Sequence, residues 1–173
     1  MNIVLCGMMG CGKTTVAAEL SRITGRESVD TDAEIVKRHG RIADIFEKFG
    51  ESRFREIEAE EVERLSSRDG LIIATGGGCV LYDRNVRILK RSGKIFFLEA
   101  PAETLISRLE GDTERPLLAG GAAKRVNELL PMRTPLYLAA ADCVIHTAGL
   151  TPTEIAKKIL AQCGADFSAD VKN

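Results

Sequence analysis

A chain of 173 residues, 45% hydrophobic and 28% charged, reads as one globular domain, long enough to bury roughly 70% of its unfolded surface. A formal net charge of −1 supplies no basic field for nucleic acid or an acidic membrane, and no apolar run of about eighteen residues is present to span a bilayer. Five scattered cysteines (Cys6, Cys11, Cys79, Cys143, Cys163), no C-x-x-C pair and only two histidines argue against a disulfide framework or a zinc site, so the cysteines read as small buried hydrophobes.

The chain enters a short apolar strand, Asn2–Cys6, with no basic segment and long apolar stretch before it, which leads us to expect a cytoplasmic protein. Next comes LCGMMGCGKTTV. Gly7-Met8-Met9-Gly10-Cys11-Gly12-Lys13-Thr14 fits G-x-x-x-x-G-K-[ST] at every required position. The context is the right one, because Val16, Leu20 and Ile23 then recur at helical spacing. Gly10, Cys11 and Gly12 can turn successive backbone N–H groups toward phosphate oxygens, and the following helix adds its unsatisfied N–H groups and the positive end of its dipole. Lys13 is expected at the β- and γ-phosphates of ATP, the Thr14 hydroxyl on Mg²⁺, and Thr15 at the α-phosphate. The motif sets a nucleoside-triphosphate site without deciding what is done there.

Further along, a short strand near Ser28–Val29 leads into Asp30-Thr31-Asp32, which reads either as an acidic functional group or as a helix N-cap. Phe54, Ile57, Val62 and Leu65 form a buried helical stripe, with Glu51, Glu56, Glu60 and Glu63 on the wet face. The strand Leu71–Thr75 is followed by Gly76-Gly77-Gly78, either a plain turn or a ligand loop at the carboxyl end of a strand. Strands at Lys94–Glu99 and Asp142–His146 follow, separated by a Gly- and charge-rich loop, Glu110 to Lys124, long enough to suggest a lid. Thr151, Pro152 and Glu154 announce a capped final helix whose buried side is Ile155, Ile159 and Leu160, and a polar tail follows Gly164. Short apolar strands alternating with helical patterns predict an α/β fold.

No N-K-x-D guanine-reading motif occurs, and the chain is short for a motor ATPase, so a compact phosphotransferase is favoured. The P-loop together with DTD (Asp30–Asp32), the F-R-x-x-E core at Phe54, Arg55 and Glu58, the Gly76–Gly78 run, ERPLL with Arg115 and RTPLY with Arg133 resembles the shikimate kinase family over nearly the whole chain. The chemistry of such a substrate agrees. A carboxylate with several hydroxyls calls for guanidinium forks, which Arg55 and Arg133 supply, and for an acceptor, which Asp32 supplies. On a helix Arg55 lies about 100° from the buried Phe54 and can aim into a cleft.

The resemblance implies a three-layer α/β/α P-loop kinase fold, similar to nucleoside monophosphate kinases, with a five-stranded parallel sheet. It implies a single domain over residues 1–173, a substrate-binding segment at about 31–65 and a lid at about 109–124. The reaction implied is ATP-dependent phosphorylation of the shikimate 3-hydroxyl with Mg²⁺. No exposed apolar stripe stands out, so we expect a monomer, and the charge balance and lack of an apolar span lead us to expect neither nucleic acid nor membrane as a partner. Asp32 would then take the hydroxyl proton, Gly76, Gly77 and Gly78 would meet substrate oxygens, and Asp30 would serve the metal through a water. Arg115 would close over the γ-phosphate, and Arg108 would lie against adenine unless it is an ordinary exposed helix arginine. Lys124 and Arg125 read as solvated. The chain departs from the family at Cys11, whose thiol would lie near the phosphates as a candidate for oxidation, and at Ser28-Val29, where an aromatic is frequent nearby. A gluconate-type kinase, a non-catalytic nucleotide-binding module and a relative with a changed substrate remain open readings at this point.

Overall fold

The computed structural model describes residues 1–110 and 121–164. Its elements run β1 (Asn2–Cys6), α1 (Lys13–Thr24), β2 (Ser28–Asp30), α2 (Thr31–His39), α3 (Ile42–Ser66), β3 (Ile72–Ala74), α4 (Asp83–Ser92), β4 (Gly93–Glu99), α5 (Ala102–Glu110), α6 (Ala122–Ala140), β5 (Cys143–His146) and α7 (Pro152–Cys163), with a 3₁₀ turn over Cys79–Leu81 before α4. The five strands form one parallel sheet in the order β2-β3-β1-β4-β5.

Every residue of β1 is buried. Because successive side chains of a strand point to opposite faces, both faces of the sheet are covered. The register sets Ile3 beside Ile72 and Lys94, and Cys6 beside Phe97. Since β1 lies between β3 and β4, chain order reverses across it, and the crevice at the carboxyl end of β1 is where an open α/β sheet accepts a ligand. The P-loop begins there.

The strand limits differ from the sequence reading by about one residue, for identifiable reasons. Thr75 lies past β3, where its N–H and its hydroxyl each donate to the Leu5 carbonyl at 3.0 Å. Asp142 lies ahead of β5 and joins the sheet through its carboxylate, which accepts the Ile95 N–H at 2.8 Å.

A second, smaller apolar cluster (Ile35, Ile45, Phe54 and Ile57) lies apart from the main core and holds α2 to α3. Within α3 the backbone leaves helical geometry at Gly50 (φ 76°, ψ 176°), a left-handed value that glycine adopts at little cost. The stripe beginning at Phe54 gave no warning of this kink or of the helical turns before it. Arg64 joins the two helices by donating to Glu34 at 2.6 Å while also bonding the buried Glu61. The capping box of α7 is present as expected, with the Thr151 hydroxyl accepting the Glu154 N–H at 3.3 Å and Glu154 accepting the Thr151 N–H at 2.8 Å.

Candidate active site

The phosphate loop is shaped by what its glycines leave out. At Gly7 (φ 140°) a Cβ would stand 2.8 Å from the Leu98 carbonyl oxygen and 2.9 Å from Cys11 Sγ, so only glycine fits. Gly12, left-handed at φ 95°, is the N-cap of α1 and contributes no side chain to the cap. Lys13, the first residue of α1, turns its ammonium back over the loop and donates to the carbonyls of Gly7 (2.9 Å) and Met8 (3.1 Å). From α5, Arg108 Nη1 donates to the Gly10 carbonyl at 3.2 Å, so this exposed arginine is tied to the loop rather than loose on its helix. The Cys11 thiol does not lie open to the site: the residue is 1% exposed and its sulfur packs against Gly7.

Thr14 and Asp30 meet beside the loop, with the Thr14 hydroxyl donating to Asp30 Oδ2 at 3.0 Å. The other oxygen of Asp30 caps α2, accepting the N–H groups of Asp32 (3.0 Å) and Ala33 (3.3 Å). One oxygen of Asp30 therefore serves as the N-cap, and the other is turned to Thr14. Among the described residues no group of three or more His, Cys, Asp or Glu side chains could hold a metal by itself. A hydroxyl and one carboxylate oxygen suit a hard cation that keeps most of its shell from water and phosphate. Thr15, in the first turn of α1, is exposed next to them.

The other half of the site is assembled on the glycine run. A Cβ on Gly76 would collide with the Asp32 carboxylate, one on Gly77 would lie 3.8 Å from Arg133 Nη1, and one on Gly78 would lie 2.9 Å from Arg55 Nη1. Thus α2, α6 and α3 each bring one of the expected side chains to one of the three glycines. The run itself is fixed on both flanks. The Gly76 N–H donates to the Thr31 hydroxyl at 2.8 Å, and the Tyr137 hydroxyl donates to the Gly77 carbonyl at 2.7 Å. Tyr137 is fully buried, its ring stacked at 5.2 Å on Phe97, and burial pushes its phenol up to about 12, which keeps it a neutral donor.

Arg55 is held on several sides. Its Nε and Nη2 donate to Glu51 Oε1 at 3.3 and 3.1 Å, and Nη1 donates to Glu58 Oε2 at 3.0 Å. Burial works against its charge, but the carboxylates of Glu58 and Glu51 outweigh that, so its cation is held more firmly than usual. Glu58 is 1% exposed, and burial lifts its carboxyl above the ordinary range while Arg55 pulls it back. A guanidinium has five N–H donors, and these three bonds leave two for a substrate.

Three residues of this arrangement, Glu58, Glu51 and Tyr137, carry no assigned role in the sequence. Glu58 had a signal, since F-R-x-x-E puts it one helical turn from Arg55. Glu51 was read only as part of a wet face. Tyr137 is the last residue of RTPLY, one helical turn past Arg133, but its contact with Gly77 arises only through folding. Arg115 and most of the expected lid lie outside the described residues.

The family model described as shikimate kinase matches residues 9–164 of the chain. A shikimate kinase of Caldicellulosiruptor bescii is 44% identical over 162 residues, covering 92% of this chain and 94% of the relative. One from Thermodesulfovibrio yellowstonii is 47% identical over 163 residues, covering 93% and 94%. Among solved structures, shikimate kinase from Acinetobacter baumannii in complex with shikimate matches with a TM-score of 0.86 at 40% identity, over 93% of this chain and 91% of that one.

Proposed function

The chain belongs to the shikimate kinase family, and on that premise we propose how its residues divide the work of the reaction. The enzyme transfers the γ-phosphoryl group of ATP to the 3-hydroxyl of shikimate, giving ADP and shikimate 3-phosphate, a step toward chorismate and the aromatic amino acids.

Phosphoryl transfer asks the protein mainly for alignment and for stabilisation of charge. In our reading the amides of Gly10, Cys11 and Gly12 and the first turn of α1 hold the triphosphate, with Thr15 at the α-phosphate. Lys13 leaves the loop carbonyls for the β- and γ-phosphates. Mg²⁺, held by the Thr14 hydroxyl and, through a water, by Asp30, would neutralise phosphate charge. Arg108 borders the nucleotide from α5, and Arg115, outside the described residues, closes over the γ-phosphate and excludes water.

On the acceptor side, Arg133 and the two remaining N–H donors of Arg55 grip the carboxylate, and the backbone of Gly76–Gly78 meets substrate oxygens. Asp32 accepts from the hydroxyls, directs the 3-hydroxyl at phosphorus and receives its proton. The observation that carries this reading is the convergence of Asp32, Arg133 and Arg55 on the three consecutive glycines, at the carboxyl end of β3 and beside the phosphate loop. We place the substrate-binding segment at about residues 31–65 of a single domain and the lid at about 109–124. No helix among the described residues is long and apolar enough to cross a membrane. We propose a cytoplasmic monomer acting on these two small molecules.

The test is a variant that separates the halves. Arg133→Ala should raise the KM for shikimate roughly tenfold to a hundredfold, the scale of a lost charge-assisted contact, with ATP affinity retained. Equal loss of both affinities would remove Arg133 from the acceptor site.

A further inference from the structure

Arg55 is well anchored to its own helix and sparsely anchored to anything else. Glu51, Phe54 and Glu58, which bond or stack on it, all belong to α3. These contacts fix the guanidinium relative to α3 but do not fix its distance from the glycine run, which belongs to the sheet. Tyr82 reaches Arg55 from the other side. Its ring centroid is 4.8 Å from the guanidinium carbon, and its hydroxyl lies 3.4 Å from Glu51 Oε1.

The origin of Tyr82 makes this contact informative. Tyr82 sits at the N-terminus of α4 in extended geometry (φ −111°, ψ 118°), directly after the 3₁₀ turn that continues from Gly78. The turn is pinned by the buried Asn85, whose Nδ2 donates to the Cys79 carbonyl at 3.0 Å. The backbone of Tyr82 is thereby tied to Gly76–Gly78, and its ring packs on the guanidinium without using either of the two N–H donors that Glu51 and Glu58 leave. A half-exposed ring on a cation contributes modestly to stability. Its effect on position is larger, because the site works only if the Arg55 fork and the glycine amides are spaced to meet one substrate.

We propose that Tyr82 is a positioning residue for the acceptor: it holds the Arg55 fork in register with the glycine run and thereby sets affinity for the carboxylate of shikimate. This inference rests on the reading of Arg55 as a carboxylate ligand. The ring face is the working part, and the weak hydroxyl contact to Glu51 is secondary.

The experiment compares steady-state kinetics with shikimate and with its methyl ester, which lacks the carboxylate charge, at saturating ATP. Tyr82→Leu should raise the KM for shikimate about three- to tenfold and leave the KM for ATP unchanged. Tyr82→Phe and Tyr82→Trp, which keep a ring, should stay within about twofold of wild type; because Tyr82 is 40% exposed, all three should fold, as an unchanged Tm will verify. With the ester, the difference between Tyr82→Leu and wild type should vanish. A shikimate KM within twofold of wild type for Tyr82→Leu, or an equal loss on acid and ester, overturns the proposal. Arg55→Lys is run beside them. If it raises the shikimate KM and Tyr82→Leu does not, Tyr82 alone was misread; if Arg55→Lys has no effect, the carboxylate reading of Arg55 fails first.

Discussion

Asp32 occupies the space that a side chain on Gly76 would need: a Cβ there would overlap carboxylate Oδ1 and stand 3.0 Å from the carboxyl carbon. The glycine and the acid define each other's positions, and the Gly76 N–H is also committed to the Thr31 hydroxyl next to Asp32. Gly76→Ala should therefore swing Asp32 away from the acceptor hydroxyl. We expect a fall in kcat on the order of a hundredfold, with nucleotide affinity unchanged when measured by fluorescence titration of a labelled ATP analogue. A variant with full kcat would mean that the Asp32 carboxylate can move without consequence.

Lys13 now spends its charge on the Gly7 and Met8 carbonyls, a pair of contacts that triphosphate oxygens can replace. Lys13→Ala removes a cation aimed at the charge that develops during transfer. Turnover should fall about a hundredfold or more whatever the acceptor, as measured by single-turnover quench. Normal turnover would disconnect Lys13 from the chemistry.

The fate of the cysteines follows from burial. Burial pushes the Cys6 thiol up to about 12 and the Cys163 thiol up to about 11, and Cys79 also rises well above its ordinary value. Cys11 is 1% exposed, whereas Cys143 is only half-buried. Iodoacetamide on the native protein should label Cys143 first, as read by peptide mass spectrometry, with turnover unchanged. Early labelling of Cys11 with loss of activity would show that the loop opens readily.

An acid-side effect is expected where α1 meets α7. Glu19 accepts from Arg22 at 2.9 and 2.8 Å and from the Thr153 hydroxyl at 2.7 Å, and these bonds, Arg22 foremost, hold its carboxyl down at about 2. A group whose folded value lies below its unfolded value near 4.5 lets the unfolded chain bind more protons in between, so its contribution is present above pH 4.5 and is lost as pH falls toward 2. Glu19→Gln should flatten that part of the plot of Tm against pH. An unchanged acid limb would mean that the Arg22 and Thr153 contacts do not persist in solution.

The legible parts of this molecule are those that a short spacing encodes. The P-loop, the final capping box and the glycine run each lie within about eight residues, and each fixes its own geometry by local backbone chemistry. Asp32, Arg55 and Arg133 were readable as chemical types with a family resemblance behind them. Their meeting on Gly76, Gly77 and Gly78 was not readable, because it depends on α2, α3 and α6 docking against one strand end. The same limit hid Tyr82, which reaches Arg55 across the fold, and the contact of Tyr137, the last residue of RTPLY, with Gly77. It also hid the kink at Gly50, where one glycine in a charged stretch carries no distinguishing pattern.

Coupled ADP release with shikimate, with gluconate and with no acceptor decides whether this chain is a shikimate kinase. Release should depend on shikimate and stay at background with gluconate and with water. Release independent of shikimate, or none with any acceptor, would contradict that assignment.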